Sequence, residues 1–134
     1  MTTDQRVLLA GIAEGEALVL EEPISFWGGV DSASGHIIDQ RHPQAGSSVA
    51  GRVLVMSHGK GSSSASSVLA ECLRLGTGPA AIVLDHGDQI LLAGALVAGE
   101  LYDRSCPIVV VASIAGFESG RRYRVDADGV RAVV

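Results

Sequence analysis

Apolar positions along this chain change their spacing near Gly51, and the change separates two kinds of predicted structure. Before it, short runs with strand character cover Val7–Ile12 and Ala17–Leu20, and the short link through Glu14-Gly15 predicts a hairpin, so that the N-terminal third reads as mostly antiparallel β. From Pro23 to Gly51 the pattern thins into glycine, serine and short apolar pieces. Trp27-Gly28-Gly29-Val30-Asp31 and Ser34-Gly35 read there as turns or points of close backbone approach. Loops this long in a small chain are often functional.

After Gly51 the pattern becomes that of a βαβ unit: a buried strand at Val53–Met56, a helix at Ser66–Leu75 and a second buried strand at Ala80–Leu84. The helix rests on Ala65, Val68, Leu69, Cys72, Leu73 and Gly76 recurring on one side, with Arg74 in the last turn and Gly76 placed to cap the end. Asp88 is placed to cap a further helix over Gln89–Gly99. Pro107 then leads into a strand at Ile108–Ala112, which makes a second crossover and three parallel strands. Arg122–Val125 and Val130–Val134, around Asp126-Ala-Asp-Gly129, read as a closing hairpin that joins the N-terminal strands. The expected class is α/β, in a single domain over 1–134.

Composition adds a partner to this picture. Hydrophobic residues make up 47% of the chain before its 17 glycines are counted, and charged residues only 19%. A short chain buries that much apolar surface poorly, so a second protein covering one face is expected, with a tightly packed Ala- and Val-rich core as the alternative. The net charge of −5 argues against a nucleic-acid partner, whose phosphates would call for clustered Lys and Arg. Arg121, Arg122 and Arg124 read as the solvent face of a strand. Val7–Ala13 is too short for a signal core and Ile90–Ala98 falls far short of the ~20 residues that span a bilayer, so no membrane role and a soluble, cytoplasmic location are expected. Cys72 and Cys106 form neither a CxxC pair nor a disulfide framework.

The candidate chemistry lies in Ser57-His58-Gly59-Lys60-Gly61-Ser62-Ser63-Ser64-Ala65-Ser66-Ser67, between a strand and a helix at the carboxyl end of a parallel sheet, where such sheets place ligands. Glycine lets a ligand approach the backbone, and the free N–H groups and dipole of a helix N-terminus attract a carboxylate or phosphate. Lys60 adds a positive charge, and the hydroxyls of Ser62, Ser63 and Ser64 both donate and accept. The run is not a P-loop, since Lys60 precedes Gly61. It is not a dinucleotide fingerprint, since Ser64 stands where the third glycine would be, and it does not spell GxSxG. A serine-rich N-cap is the structural alternative. Gly28 and Gly29 beside Asp31 form a second candidate element, a backbone wall with one carboxylate, or else a plain turn. His36, His42, His58 and His86 are scattered and read as surface or loop residues, with His58 near enough to the serines to tune them. No thiolate set or histidine pair stands at ligand spacing, so any metal has to come from elsewhere.

Spaced motifs carry a resemblance over nearly the whole chain: Pro23-Ile-Ser-Phe-Trp-Gly-Gly-Val-Asp31, Gly35 and Asp39, Gly51-Arg-Val-Leu54, Gly59-Lys-Gly-Ser-Ser-Ser64 and Gly76-Thr-Gly-Pro-Ala-Ala81, in that order. They resemble the small, swivelling-domain subunit of the aconitase X dehydratases, which usually show Thr-Ala-Pro-Ala-Ala where this chain has Thr77-Gly78-Pro79-Ala80-Ala81. The resemblance implies a three-layer β/β/α domain, with helices on one side of a short parallel sheet and an antiparallel β layer on the other, docked on a larger subunit. It implies catalysis at that interface on a small hydroxy-carboxylate, as in dehydration of cis-3-hydroxy-L-proline or mevalonate 5-phosphate. By the same resemblance Ser62 is the catalytic proton acceptor. Lys60, Gly61, Ser63, Ser64, Gly28, Gly29 and Asp31 are then expected around the substrate. No cofactor is expected in this chain, and iron or an iron–sulfur cluster is expected in the large subunit.

A serine hydroxyl is too weak a base unless its alkoxide is stabilised, and Lys60 and the helix N-terminus are the groups available to do that. The hydroxyproline-type substrate is preferred over the phosphorylated one because Lys60 is the single basic side chain in the loop, and phosphate often recruits arginine as well. Two other classes compete: a phosphohistidine carrier using His58, and a non-catalytic interaction domain. The first is disfavoured because His58 precedes Gly-Lys-Gly, away from the predicted helix start.

Overall fold

In this computed structural model, residues 5–60 and 63–134 are described. The strands are β1 (Arg6–Leu9), β2 (Ala13–Val19), β3 (Val53–Val55), β4 (Ala81–Leu84), β5 (Ile108–Val110), β6 (Arg122–Asp126) and β7 (Gly129–Ala132). The helices are a distorted single turn α1 (Phe26–Gly29), α2 (Ser64–Leu75) and α3 (Gln89–Tyr102). All seven strands join one mixed sheet in the order β1-β5-β4-β3-β2-β6-β7.

The parallel part is wider than the crossovers predict, because β2 pairs parallel with β3 and so precedes β3, β4 and β5 in one parallel run. The expected N-terminal hairpin is absent: β1 pairs antiparallel with β5 at one edge, and β2 lies between β3 and β6. Local apolar runs mark strands without naming their partners. Here Ala17 aligns with Val53, and Ala17, Val53 and Val55 are all fully buried, so β2 gains more from the sheet centre than from its neighbour in sequence. The closing hairpin is present, with β6 antiparallel to both β2 and β7.

Alternation along the strands builds two cores. Leu54, Ile82, Leu84 and Ile108 face α2 and α3, whereas Val53, Val55, Val83 and Val109 face Tyr123, Val125 and Val130 of the hairpin. The result is helices, parallel sheet and hairpin in three layers, curved towards a barrel. Gln5 closes the curve: its side-chain amide donates to the Val130 carbonyl (3.0 Å) and accepts from the Val130 amide (2.8 Å), as a neighbouring strand would.

Each long helix keeps one expected cap and shifts its other end. α2 starts at Ser64, two residues earlier than expected, and ends where the Gly76 amide donates to the Cys72 and Leu73 carbonyls. Asp88 caps α3, its carboxylate accepting from the amides of Ile90 (2.9 Å) and Leu91 (3.0 Å). α3 runs past Gly99 to Tyr102, since each of its two glycines costs only ~1 kcal/mol in a helix otherwise rich in Leu and Ala. Arg122 and Arg124 lie on the outer face of β6, paired with Glu14 and Asp126.

Candidate active-site cleft

β3 delivers the chain to the carboxyl edge of the sheet, and a polar clamp fixes the point where the glycine–serine loop begins. The Ser57 hydroxyl donates to Asp85 (2.7 Å), while the amides of Asp85 and His86 donate to the Ser57 carbonyl (3.0 and 3.1 Å). The Nδ1 atom of His86 lies 2.7 Å from the same Asp85 oxygen. Burial pushes the Asp85 carboxyl up, but the hydrogen bonds from Ser57 and His86 and the fields of His86 and His58 outweigh it and hold the group below its usual range. His58 stands edge-on to His86, ring centres 6.0 Å apart, and its Nδ1 meets the Gly59 carbonyl at 2.8 Å.

Three segments then converge. The Lys60 amide donates to the Ile24 carbonyl (3.3 Å) and the Ile38 amide to the Gly29 carbonyl (2.8 Å), joining the serine loop and the turn at 38–42 to the segment around α1. Between them opens a cleft of about 460 Å³, lined by Ser25 and Trp27-Gly28-Gly29 together with Asp39, Arg41 and Lys60. At Gly28 the backbone turns with φ +78°, which a side chain would strain, and the space beyond it is open. Trp27 is 60% exposed at the cleft.

The turn that carries Arg41 is held from below. The Asp39 carboxylate accepts from the Arg41 amide (3.0 Å). His42, expected at the surface, is buried beneath it: Nδ1 accepts from the Gln44 amide (3.0 Å), so Nε2 carries the hydrogen and donates to the Glu22 carbonyl (2.8 Å). Gln44 in turn bonds the Val19 carbonyl and the Glu21 amide at the end of β2.

Of the residues singled out from sequence, the cleft gathers Lys60, Gly28 and Gly29. Gly61 and Ser62 lie outside the described residues. Ser63 caps α2 without a side-chain bond, its carbonyl accepting from the Ser66 amide and hydroxyl, and Ser64 is the first residue of the helix. Asp31 is placed apart from the cleft, accepting from the Ala33 amide (3.3 Å) and the Ser34 hydroxyl (2.9 Å). That turn meets the other end of α2, where the Thr77 hydroxyl donates to the Ser32 carbonyl (2.6 Å). Arg41 and Ser25 went unmarked. Ser25 sits inside the Pro23–Asp31 motif and Arg41 two residues after Asp39, so the signal was proximity to motif residues, without any spacing that singles them out.

Among the described residues, no group of three His, Cys, Asp or Glu is arranged to hold a metal ion. Burial pushes the Cys72 thiol up to about 11 and the Cys106 thiol up to about 12, which disfavours the thiolate form a metal would need. Among the described residues the side-chain donors therefore do not fit an iron site.

A parallel sheet covered by helices on one face and a β hairpin on the other, with a cleft that holds Arg41 and Lys60 at the carboxyl ends of its strands, defines a three-layer α/β domain. The family model of the aconitase X swivel domain matches residues 2–133, and the chain belongs to that family. It is 50% identical over 103 residues to a cis-3-hydroxy-L-proline dehydratase of Pseudomonas aeruginosa, covering 77% of this chain and only 18% of that longer protein. It is 43% identical over 129 residues to a phosphomevalonate dehydratase small subunit of Methanothermobacter thermautotrophicus, covering 96% of this chain and 95% of that one. Holo-form aconitase X of Thermococcus kodakaraensis superposes with a TM-score of 0.86 at 33% identity, over 98% of this chain and all of the matched chain.

Proposed function

We propose that this chain is the small subunit of an aconitase-like hydro-lyase, with Ser62 as the general base at an interface with a larger, metal-bearing subunit. The observation that carries the reading is the match over nearly the full length of both chains to a phosphomevalonate dehydratase small subunit, 95% of whose length the chain covers. The cleft supports it. Lys60 lines it, and the sequence puts Ser62 between Lys60 and Ser63, the cap of α2. A lysine charge and a helix N-terminus together favour an oxyanion.

In this reaction the Ser62 alkoxide takes the proton from the carbon beside the substrate carboxylate. The C–H electron pair forms the C=C bond, and hydroxide leaves the neighbouring carbon. Iron or an iron–sulfur cluster, whose Lewis acidity would ease that departure, belongs in this reading to the large subunit. Trp27 and Ile38, two exposed large apolar side chains, stand on the segments that form the cleft, which suits a partner closing over it. The isolated chain is expected to be inactive. The arginines of β6 are paired with Glu14 of β2 and with Asp126, and no described helix is long and apolar enough to cross a membrane, in keeping with a cytoplasmic enzyme rather than a nucleic-acid or membrane protein.

The substrate in this reading is a hydroxy-carboxylate of the cis-3-hydroxy-L-proline type. A phosphorylated hydroxy acid of the mevalonate 5-phosphate type is the second reading, and Arg41 beside Lys60 favours it by supplying the arginine that the loop itself lacks. Ser62→Ala, assembled with the large subunit, should lower turnover by roughly 10²-fold or more while leaving the complex intact. Wild-type turnover in that complex would remove the assignment of Ser62.

A further inference from the structure

Basic side chains in this protein are mostly engaged. Arg74, Arg121, Arg122, Arg124 and Arg131 face carboxylates, and Arg52 donates to the carbonyls of Glu16 and Ala17. Among the described residues the side chains of Arg6, Arg41, Lys60 and Arg104 have neither an ion pair nor a hydrogen bond, and of these Arg41 and Lys60 stand together in one cleft, which the Asp39 carboxylate shares. Asp39 is occupied instead by the Arg41 amide. A second observation is independent of charge. Ser25 lines the same cleft, and its hydroxyl oxygen is buried with no hydrogen-bond partner among the described residues. A buried polar atom left unsatisfied costs about 1–3 kcal/mol, so its persistence beside two unpaired cations points to a missing third party.

We infer that Ser25, Arg41 and Lys60 form an oxyanion subsite that binds an acid group of the substrate, a carboxylate or a phosphate. The inference rests on the dehydratase reading for the word substrate, and on the cleft alone for the anion. The guanidinium of Arg41 offers a planar pair of donors suited to two oxygens, Lys60 offers a point charge, and Ser25 offers a single O–H directed by burial. Trp27 and the open backbone at Gly28 bound the space without adding charge. The buried His42 and the half-buried Gln44 beneath the turn fix Arg41 at the cleft, so the arginine is presented from a braced loop.

Trp27 is the chain's only tryptophan and lines the cleft, so its fluorescence reads occupancy there. The full chain, checked for its fold by circular dichroism, is titrated with sodium phosphate and with sodium acetate against sodium chloride of matched ionic strength. A saturable change with at least one of the two acids, absent with chloride, is expected, and which acid gives it identifies the group. Arg41→Gln, on an exposed side chain that makes no contact needed for folding, should weaken that binding about tenfold or more, and Arg41→Lys should recover part of it. No saturable response in the wild type, or an unchanged one in Arg41→Gln, would overturn the subsite whatever the enzyme does. In the complex with the large subunit, Arg41→Gln should raise KM by a similar factor with little loss of kcat, whereas Ser62→Ala acts on kcat. Anion binding without turnover in the complex would leave the subsite standing and refute the dehydratase.

Discussion

Asp88 shows how one side chain serves two elements. Its carboxylate caps α3 through the Ile90 and Leu91 amides and packs against Gly59, where a β-carbon would collide with it. Asp88→Ala leaves both amides without that partner and should cost about 1 kcal/mol of stability, seen as a lower thermal midpoint. Asp126 works by charge. The Arg131 guanidinium and the Asp128 amide hold its carboxyl down at about 2, against an ordinary value of 3.8. Because the folded value is the lower one, the contribution is complete above pH ~4 and disappears as the pH falls towards 2. Thermal unfolding followed from pH 5 to 2 should therefore show a smaller acid-induced drop in Asp126→Asn than in the wild type. Asp88 was legible as a cap from its place before an apolar run. The role of Asp126 depended on Arg131 standing across a hairpin, which spacing alone does not establish.

α3 crosses in close contact with α2. A β-carbon on Gly94 would approach the Ser66 carbonyl oxygen to 2.6 Å, so these helices pack backbone to backbone near the start of α2, beside the serine loop. Gly94→Val should destabilise the protein by about 1–3 kcal/mol, measured by chemical denaturation, because two packed helices have to separate to admit it. The helices themselves were readable from the recurrence of Ala65, Leu69, Cys72 and Leu73 and from the caps at Gly76 and Asp88. Strand partners were less so. β2 carries Glu14 and Glu16 alternating with Gly15 and Ala17, a pattern that suits a hairpin as well as a place between β3 and β6.

Across the whole molecule, the sheet is drawn towards a barrel by a side chain in place of a strand. Gln5→Ala breaks both bonds to Val130 and should speed hydrogen exchange of the Val130 amide, with a loss of about 1–2 kcal/mol in unfolding free energy. The curvature also separates the hydrophobic positions into two cores, one under the helices and one under the hairpin. The cleft lies outside both, at the carboxyl edge where β3 and β4 release Ser57 and Asp85. Its position leaves one side of the loop open to a second protein.

By itself the sequence determined the α/β class, the two helices and the caps at Gly76 and Asp88, the closing hairpin and the location of the glycine–serine loop after β3. Each of these rests on local physics: residue periodicity, caps and glycine turns act within a few positions of one another. Only the tertiary structure decided that β2 joins the parallel sheet, that His42 is buried, that Asp31 stands apart, and that Ser25 and Arg41 meet Lys60 in one cleft. Those facts arise between segments distant in sequence, where burial and hydrogen-bond satisfaction across the fold select the partner and local pattern leaves several partners equally acceptable.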